Sequence, residues 1–323
     1  MVRTSARLLI GLTSVLTGAA ALAQTYPERP IHFVVGFAPG GAADIVARAM
    51  SEALSKSIGQ TVLVENRAGA GSSIAAQYVA KAAPDGYTIL LASPSSISVN
   101  PALNPQLGYK FSDLEPVLKV TTSPLVIAVN PNSAIQSLKD LTAAAKKAPG
   151  SINYATSGIG SAPHLGAALY AQVAGVLMVH VPFKGGAPAV QSVVAGDTQV
   201  TFATAPSVLA LVQGGRLRAL AVTSRERSPL MPDLPGTSES GMPNYAIEFW
   251  YGIFVPAHTP RAITRKLFDA VTVAMQQATV KQVLAKDGTD VSLSPSPAAF
   301  ATFLASDNKF WAKLAKDAGV DKE

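Results

Sequence analysis

Short runs rich in Val, Ile and Leu alternate along this chain with longer stretches of helical spacing, and that alternation leaves few architectures open. Short strands that are apolar throughout have to be covered on both faces. This pattern points to an α/β fold with buried, largely parallel strands. The expected strands are 31–35, 62–65, 88–92, 125–129, 199–203, 219–222 and 251–255. Between the first two, residues 44–58 place Ile45, Val46, Ala49, Met50, Ala53 and Leu54 on one stripe, with Glu52 and Lys56 turned away. That is an amphipathic helix lying on a sheet. Residues 72–83 and 138–148 read the same way and end at Pro84-Asp85-Gly86 and Pro149-Gly150, which are helix stop signals.

The ends bound the compartment. Arg3 and Arg7 precede an apolar stretch at 8–16, and Ala21-Leu22-Ala23 precedes Gln24. A basic start, a short apolar middle and an A-x-A site are the features of a signal peptide. Residues 1–23 are therefore expected to be removed after Ala23, and the mature chain to be soluble in a bacterial periplasm. The apolar stretch is too short for a spanning helix of about 20 residues. The chain has no cysteine, so a packed core rather than cross-links must stabilise it. Without Arg3 and Arg7, 24 Lys and Arg stand against 20 Asp and Glu, a net charge of +4. These cations are scattered, which argues against nucleic acid, whereas a mild positive field favours anionic small molecules.

The length predicts two domains better than one. The chain changes character after Pro124, and a turn-rich stretch at 228–244 carries it back to an apolar strand and a long helix at 260–277. It is read as leaving one lobe, building a second and returning: 24–124 plus 247–323 form lobe 1, and 125–246 form lobe 2. A single large sheet is the alternative. The crossings near Pro124 and at 245–249 would be the hinge strands, with Trp250 and Tyr251 as candidate walls of a cleft or as buried hinge aromatics.

Three glycine-bearing segments join strands to helices. In Phe37-Ala38-Pro39-Gly40-Gly41-Ala42-Ala43-Asp44 the glycine pair lets backbone approach a ligand, and the free N–H groups and positive dipole end of a helix start suit an anion. A simple tight turn with a favourable first-turn Asp accounts for this segment equally well. Ala155-Thr156-Ser157-Gly158-Ile159-Gly160-Ser161-Ala162-Pro163-His164 joins a strand-like 152–154 to a helix at 165–174. It adds the Ser157 and Ser161 hydroxyls, with Ser161 a candidate N-cap and Pro163 in the first turn. His164 fits packing better than catalysis. Phe183-Lys184-Gly185-Gly186-Ala187-Pro188 precedes a third helix at 189–194, and Lys184 is read as a solvated surface lysine rather than an anion's partner. Such convergent segments supply backbone donors and little covalent chemistry.

Taken in order, these segments resemble the Bug-type substrate-binding proteins of tripartite tricarboxylate transporters. The likeness spans nearly the whole mature chain. It includes Tyr26-Pro27-Glu28-Arg29-Pro30-Ile31, Val64-Glu65-Asn66-Arg67 with Gly69-Ala70-Gly71, Ala83-Pro84-Asp85-Gly86-Tyr87-Thr88 and Gly215-Arg216-Leu217-Arg218-Ala219-Leu220-Ala221-Val222-Thr223, besides the glycine segments. The resemblance implies a type II periplasmic-binding-protein fold, two α/β lobes joined by two hinge strands around a ligand cleft. It implies ligand contacts from Phe37, Ala38, Gly40, Gly41, Asp44 and Ser93 in the first lobe. In the second they would come from Ser157, Gly158, Ser161, His164, Gly185, Gly186, Ala187 and Thr204. The implied partners are a small carboxylate and the permease subunits of such a transporter; no cofactor, metal or nucleic acid is expected, and the protein is expected to be a monomer. Relatives often carry Met-Phe-Asp-Asn-Leu-Pro-Ser where this chain has Thr201-Phe202-Ala203-Thr204-Ala205-Pro206-Ser207. Loss of that Asp favours a plain or aromatic carboxylate over an amino acid.

An enzyme would need a nucleophile with a base, a paired acid and base, or a metal cluster. There is no G-x-S-x-G elbow, H-E-x-x-H motif or cysteine, and His32, His164, His180 and His258 lack metal-like spacing. A secreted hydrolase using a Ser157–His164 dyad is the minor alternative. An adaptor whose loaded form is read by a sensor ectodomain is another.

Overall fold

The computed structural model describes residues 26–104 and 106–319. The expected signal peptide at 1–23 lies outside them. Ten strands are found among the described residues: β1 Ile31–Val35, β2 Val62–Asn66, β3 Thr88–Ala92, β4 Leu114–Val129, β5 Asn153–Thr156, β6 Val179–Pro182, β7 Val200–Thr204, β8 Arg218–Val222, β9 Glu248–Pro256 and β10 Asp290–Val291. The helices are α1 Ala42–Ile58, α2 Ser73–Ala80, α3 Asn100–Leu103, α4 Leu138–Lys147, α5 Ala162–Ala174, α6 Gly186–Ala195, α7 Ala205–Gln213, α8 Arg261–Gln276, α9 Ala278–Lys286 and α10 Pro297–Asp317. None is long and apolar enough to cross a membrane.

The strands run in the order β2-β1-β3-β9-β4-β7-β5-β6, with β8 and β10 also on β4. Pairs β1/β2, β1/β3, β5/β6 and β5/β7 are parallel, whereas β3/β9, β4/β9, β4/β7, β4/β8 and β4/β10 are antiparallel. The sheet is thus mixed, which corrects the expectation of largely parallel strands. The outer strands belong to strand–helix–strand units, but the centre is where the chain crosses out on β4 and back on β9, so those strands run oppositely.

The 16-residue strand β4 is shared between the two halves. Its first part pairs β9 as far as Pro124 opposite Glu248, and from Leu125 onward it pairs β7, with β8 joining at Val126. Thr223 stitches the crossing together. Its buried Oγ1 accepts from the Leu125 N–H at 2.8 Å and donates to the Ile247 carbonyl at 2.6 Å, while the Ile247 N–H donates to the Thr223 carbonyl at 2.9 Å. Helix α1 buries Val46, Ala47, Met50, Ala53, Leu54 and Ile58, following the apolar stripe of its sequence, and packs against α8.

Candidate functional site

The two parallel sets, β1 with β3 and β5 with β7, both end at one place, as strands do at the ligand crevices of open α/β sheets. There Phe37, Gly41, Ser93, Ser157, Ser161, Gly186 and Thr204 surround a cavity of about 20 Å³, joined by Ala42, Ala43, Ser95, Ala162, Pro163, Ser207, Phe249 and Tyr251. This volume holds about one water. None of these wall residues is charged. Seven of the fourteen positions expected to contact a ligand therefore meet on one wall.

Four helices begin at this cavity. α1 starts from Gly41, α6 from Gly185 and α7 from Thr204, each without a side-chain cap, and α5 starts from Ser161, whose Oγ accepts from the His164 N–H at 3.3 Å. The first N–H groups of a helix have no partner inside it and sit at its positive end. The α7 start was not anticipated as a helix N-terminus. Its signal is Ala205-Pro206-Ser207, which repeats the proline placement of Ala162-Pro163. Ser93 adds a hydroxyl that is buried and has no hydrogen-bond partner, and Thr204 Oγ1 lies 2.9 Å from Ser207 Oγ.

The other expected residues support the walls. Asp44 is buried in the first turn of α1 and accepts from the Gly40 N–H at 3.1 Å, Arg48 Nε at 2.9 Å and Asn66 Nδ2 at 3.0 Å. Burial alone would raise its pKa, but these hydrogen bonds hold the carboxyl below its ordinary value. Asn66 Nδ2 also donates to the Phe37 carbonyl at 3.0 Å, so the acid and amide together fix the loop that carries Phe37 and Gly41. Gly40 takes φ +78°, the left-handed conformation that lets this turn close. Gly185 packs against Ala38 so closely that an added Cβ would lie 3.2 Å from the Ala38 Cβ. Ala187 lies within the first turn of α6, behind Gly186.

His164 is buried beneath the Gly158–Ser161 turn, where its Nδ1 accepts from the Gly160 N–H at 3.2 Å and its ring stacks on His180 at 3.7 Å. Burial, and then the neighbouring His180, lower its pKa to about 3. An imidazole so depressed is a poor base, and the ring serves as packing under the loop.

Two further expectations change. Phe249 and Tyr251 wall the cavity, but Trp250 points to the opposite face of β9, where its Nε1 donates to Asp307 at 2.7 Å and its ring meets Phe300. Successive strand residues face opposite sides, so only one of the candidate pair Trp250 and Tyr251 could reach the cavity. For the same reason Ala203 lies in the core with Val126, Val190 and Val208 while Thr204 lines the cavity. Position 203 thus stands off the cavity wall. Among the described residues, no group of three His, Cys, Asp or Glu is placed to hold a metal.

A wider groove of about 760 Å³ adjoins the cavity and shares Phe37 and Ser157 with it; Gly158 lines this groove.

Residues 46–320 match the family model described as the tripartite tricarboxylate transporter family receptor. The chain is 36% identical over 316 residues to protein BugT of Bordetella pertussis, covering 97% of each. It is similar to the solved periplasmic binding protein BugD, with 33% identity and a TM-score of 0.86 over 91% of this chain and 99% of that one. It is also similar to MatC of Rhodopseudomonas palustris with bound malate (30%, TM-score 0.84, 90% and 100% covered). A second R. palustris protein, solved with adipate, gives 31%, a TM-score of 0.87 and coverage of 91% and 98%.

Proposed function

Because this chain belongs to the tripartite tricarboxylate transporter receptor family and has the type II periplasmic-binding-protein fold, we propose that it captures a small carboxylate between its two α/β lobes and delivers it to a membrane permease of that transporter class. In this reading 24–124 with 247–323 form one lobe and 125–246 the other, a division supported by the change of β4's partners between Pro124 and Leu125. Export to the periplasm after cleavage at Ala23 belongs to this reading, as does action without catalysis.

The observation that carries it is the cavity wall: four helix starts and the unpartnered Ser93 hydroxyl, with no charged side chain. Uncapped N–H groups at positive dipole ends recognise an anion, and a carboxylate oxygen gives the buried hydroxyl the acceptor it lacks. Phe37, Gly41, Ser93, Ser157, Ser161, Gly186 and Thr204 are the direct contacts in this reading. Ala38, Gly40, Asp44, Gly158, His164, Gly185 and Ala187 set their positions.

The test is calorimetric titration of the purified chain from Gln24 with malate, adipate and aromatic acids, alongside thermal melts. Ligand at a hundred times Kd stabilises the folded state by about 2.7 kcal/mol, a rise of several degrees in Tm. Saturable one-to-one binding with the ligand recovered intact supports the reading. No heat and no shift with any carboxylate, or a ligand that is consumed, overturns it.

A further inference from the structure

The site described above lies on one face of the strands where the chain crosses out on β4 and back on β9. A second cavity, of about 440 Å³, lies on the other face of the same strands. Trp250 marks the change of side, since it borders this rear cavity while Tyr251 borders the front one. Phe249 belongs to both walls, so β9 is the partition between them. The rest of the rear wall includes Lys119 and Thr122 on β4, Phe303, Asp307 and Phe310 on α10, and Arg225 after β8. On the proposed division into lobes, Arg225 belongs to one and α10 to the other. The volume lies in the range, about 300–1,000 Å³, of sites that hold whole small molecules.

Two cations, Lys119 and Arg225, and two acids, Glu248 and Asp307, line this space, so its walls carry no net charge. The inner pair is not neutralised by contact. Lys119 Nζ donates to Thr122 Oγ1 at 3.2 Å and stands 5.1 Å from the centre of the Phe303 ring, whereas Asp307 accepts from Trp250 Nε1 at 2.7 Å. Among the described residues neither charge has an ion-pair partner. Burial works against both. It lowers the pKa of Lys119 despite the charges of Asp307, Glu248 and Asp290. It raises that of Asp307 to about 6, which hydrogen bonds from Trp250 and Trp311 and the Lys119 charge only partly offset. The surface between these charges is aromatic: Trp250 and Phe303 meet edge to face at 6.1 Å, and Phe310 stays 49% exposed.

We propose that this rear cavity is a second binding site, separate from the carboxylate site, for a small aromatic zwitterion such as an aromatic amino acid. The ligand's carboxylate meets Lys119 and Arg225, its ammonium meets Asp307 and Glu248, and its ring lies against Phe303 and Phe310. A simple anion would serve the cations and be repelled by the acids, and a simple cation the reverse, whereas a molecule bearing both charges serves each. Occupancy of the rear bears on the front. A rotation about β4 and β9 that narrows one side of these strands widens the other, so a molecule fitted to the rear cavity favours one arrangement of the lobes. Linkage then requires each ligand to change the other's affinity by the same factor. The rear site stands independently of the carboxylate reading, and only this coupling rests on it.

The experiment is calorimetric titration of the purified chain from Gln24 with L-phenylalanine, with 3-phenylpropionate, which lacks the ammonium, and with phenethylamine, which lacks the carboxylate. L-Phenylalanine should bind one-to-one with a Kd of about 1 mM or below. Asp307→Asn and Lys119→Gln should each weaken it about fivefold or more, while Ser93→Ala, in the front cavity, leaves it within about twofold. Both rear substitutions preserve side-chain shape, and Phe310→Ser, at an exposed ring, is a third variant that keeps the fold and should also weaken binding. Malate or adipate at saturation should shift the L-phenylalanine Kd by the factor by which L-phenylalanine shifts theirs. No binding of L-phenylalanine, binding that Ser93→Ala abolishes or malate displaces competitively, or binding that none of the rear substitutions changes overturns the proposal. So does an analogue that binds as tightly and is weakened by the same substitutions. The malate and adipate titrations judge the carboxylate reading separately: if they alone fail, the rear site stands and the coupling falls.

Discussion

Ser93→Ala separates a binding residue from a structural one, because the two roles give opposite signs of stability change. The Ser93 hydroxyl is buried on the cavity wall without a partner. In the ligand-free chain it contributes only its desolvation cost, about 1–3 kcal/mol for a buried unsatisfied polar group. Replacing it with a methyl removes that cost and leaves a gap of one atom, so the net effect on the free protein should lie between zero and a gain of about 2 kcal/mol. For a chain of this size that is a Tm unchanged or raised by roughly 0–5 °C. With a carboxylate bound, the hydroxyl makes a charge-assisted hydrogen bond worth about 1.5–3 kcal/mol, so Kd should rise roughly 10- to 150-fold. Ser192 is the control. It is also buried, but its Oγ donates to the Ala189 carbonyl at 2.7 Å and lies 2.7 Å from Thr198 Oγ1, away from the cavity. Ser192→Ala should lower Tm and leave Kd alone. Thermal melts of the free proteins with calorimetric titrations of malate and adipate read both quantities. If Ser93→Ala lowers the Tm of the free chain by more than about 2 °C and leaves Kd unchanged, Ser93 is a structural residue and the argument from its unpartnered hydroxyl fails.

Other perturbations test the scaffold. Thr223→Val keeps the shape of the side chain but leaves the Leu125 N–H and the Ile247 carbonyl without their shared hydroxyl, costing about 2–4 kcal/mol and roughly 5–10 °C of Tm; a loss under 1 °C in a thermal melt refutes the stitch at the crossover. Gly185→Ala sets a methyl 3.2 Å from the Ala38 Cβ at φ +147°, so lobe closure should be hindered. Small-angle scattering should then lose any ligand-induced compaction while affinity falls at least tenfold, and an unchanged Kd would contradict that. His164, lowered to about 3 by burial and then by His180, takes its proton first in the unfolded state as pH drops below about 6.5. Its contribution to stability is full above that pH and is lost progressively towards pH 3, at up to about 1.4 kcal/mol per pH unit. Urea midpoints at pH 7.5 and pH 5 should fall less for His164→Gln than for the parent, and equal falls would refute the assignment.

The glycine loops were legible because each needs a particular backbone: a strand end, a close approach and a helix start leave few residue types, and Gly40-Gly41 and Gly185-Gly186 state that requirement in sequence. The first half of β4 was not legible. Register shifts between Pro116 and Leu118 and between Lys119 and Thr121 break the two-residue alternation that marks a strand, and Pro116 stands at one of them. β6 escaped notice because it is a short edge strand with half-exposed residues, ending in Pro182. Asp44 and His164 show a different limit. Residue type placed both close to the chemistry, but a carboxylate that finds three donors and an imidazole that finds a stacking partner stay off the cavity wall, and only the folded neighbours reveal this. Side-chain direction on β7 and β9 turns on one residue of register, which separates Thr204 from Ala203 and Tyr251 from Trp250.

The absence of a cation on the cavity wall has a consequence for closure. Four helix N-termini, each carrying about half an elementary positive charge, meet around a space of about 20 Å³. Without a ligand these like partial charges repel one another in a medium that screens poorly, so an empty closed state is opposed. An anion placed among them converts the repulsion into attraction. α1 precedes the crossing at Pro124 whereas α5, α6 and α7 follow it, so on the proposed division into lobes the gain is realised only when the lobes come together. Fixed backbone dipoles do this without the cost of desolvating a lysine, which a buried ammonium would incur in every closed state, loaded or empty. Phe249 and Tyr251 extend the same logic to the proposed hinge, since they stand on β9, which pairs β4 up to the crossing at Pro124, and line the same cavity. On the proposed reading, a carboxylate held there would touch both lobes and the connection between them, and its charge would act directly on the equilibrium between open and closed forms.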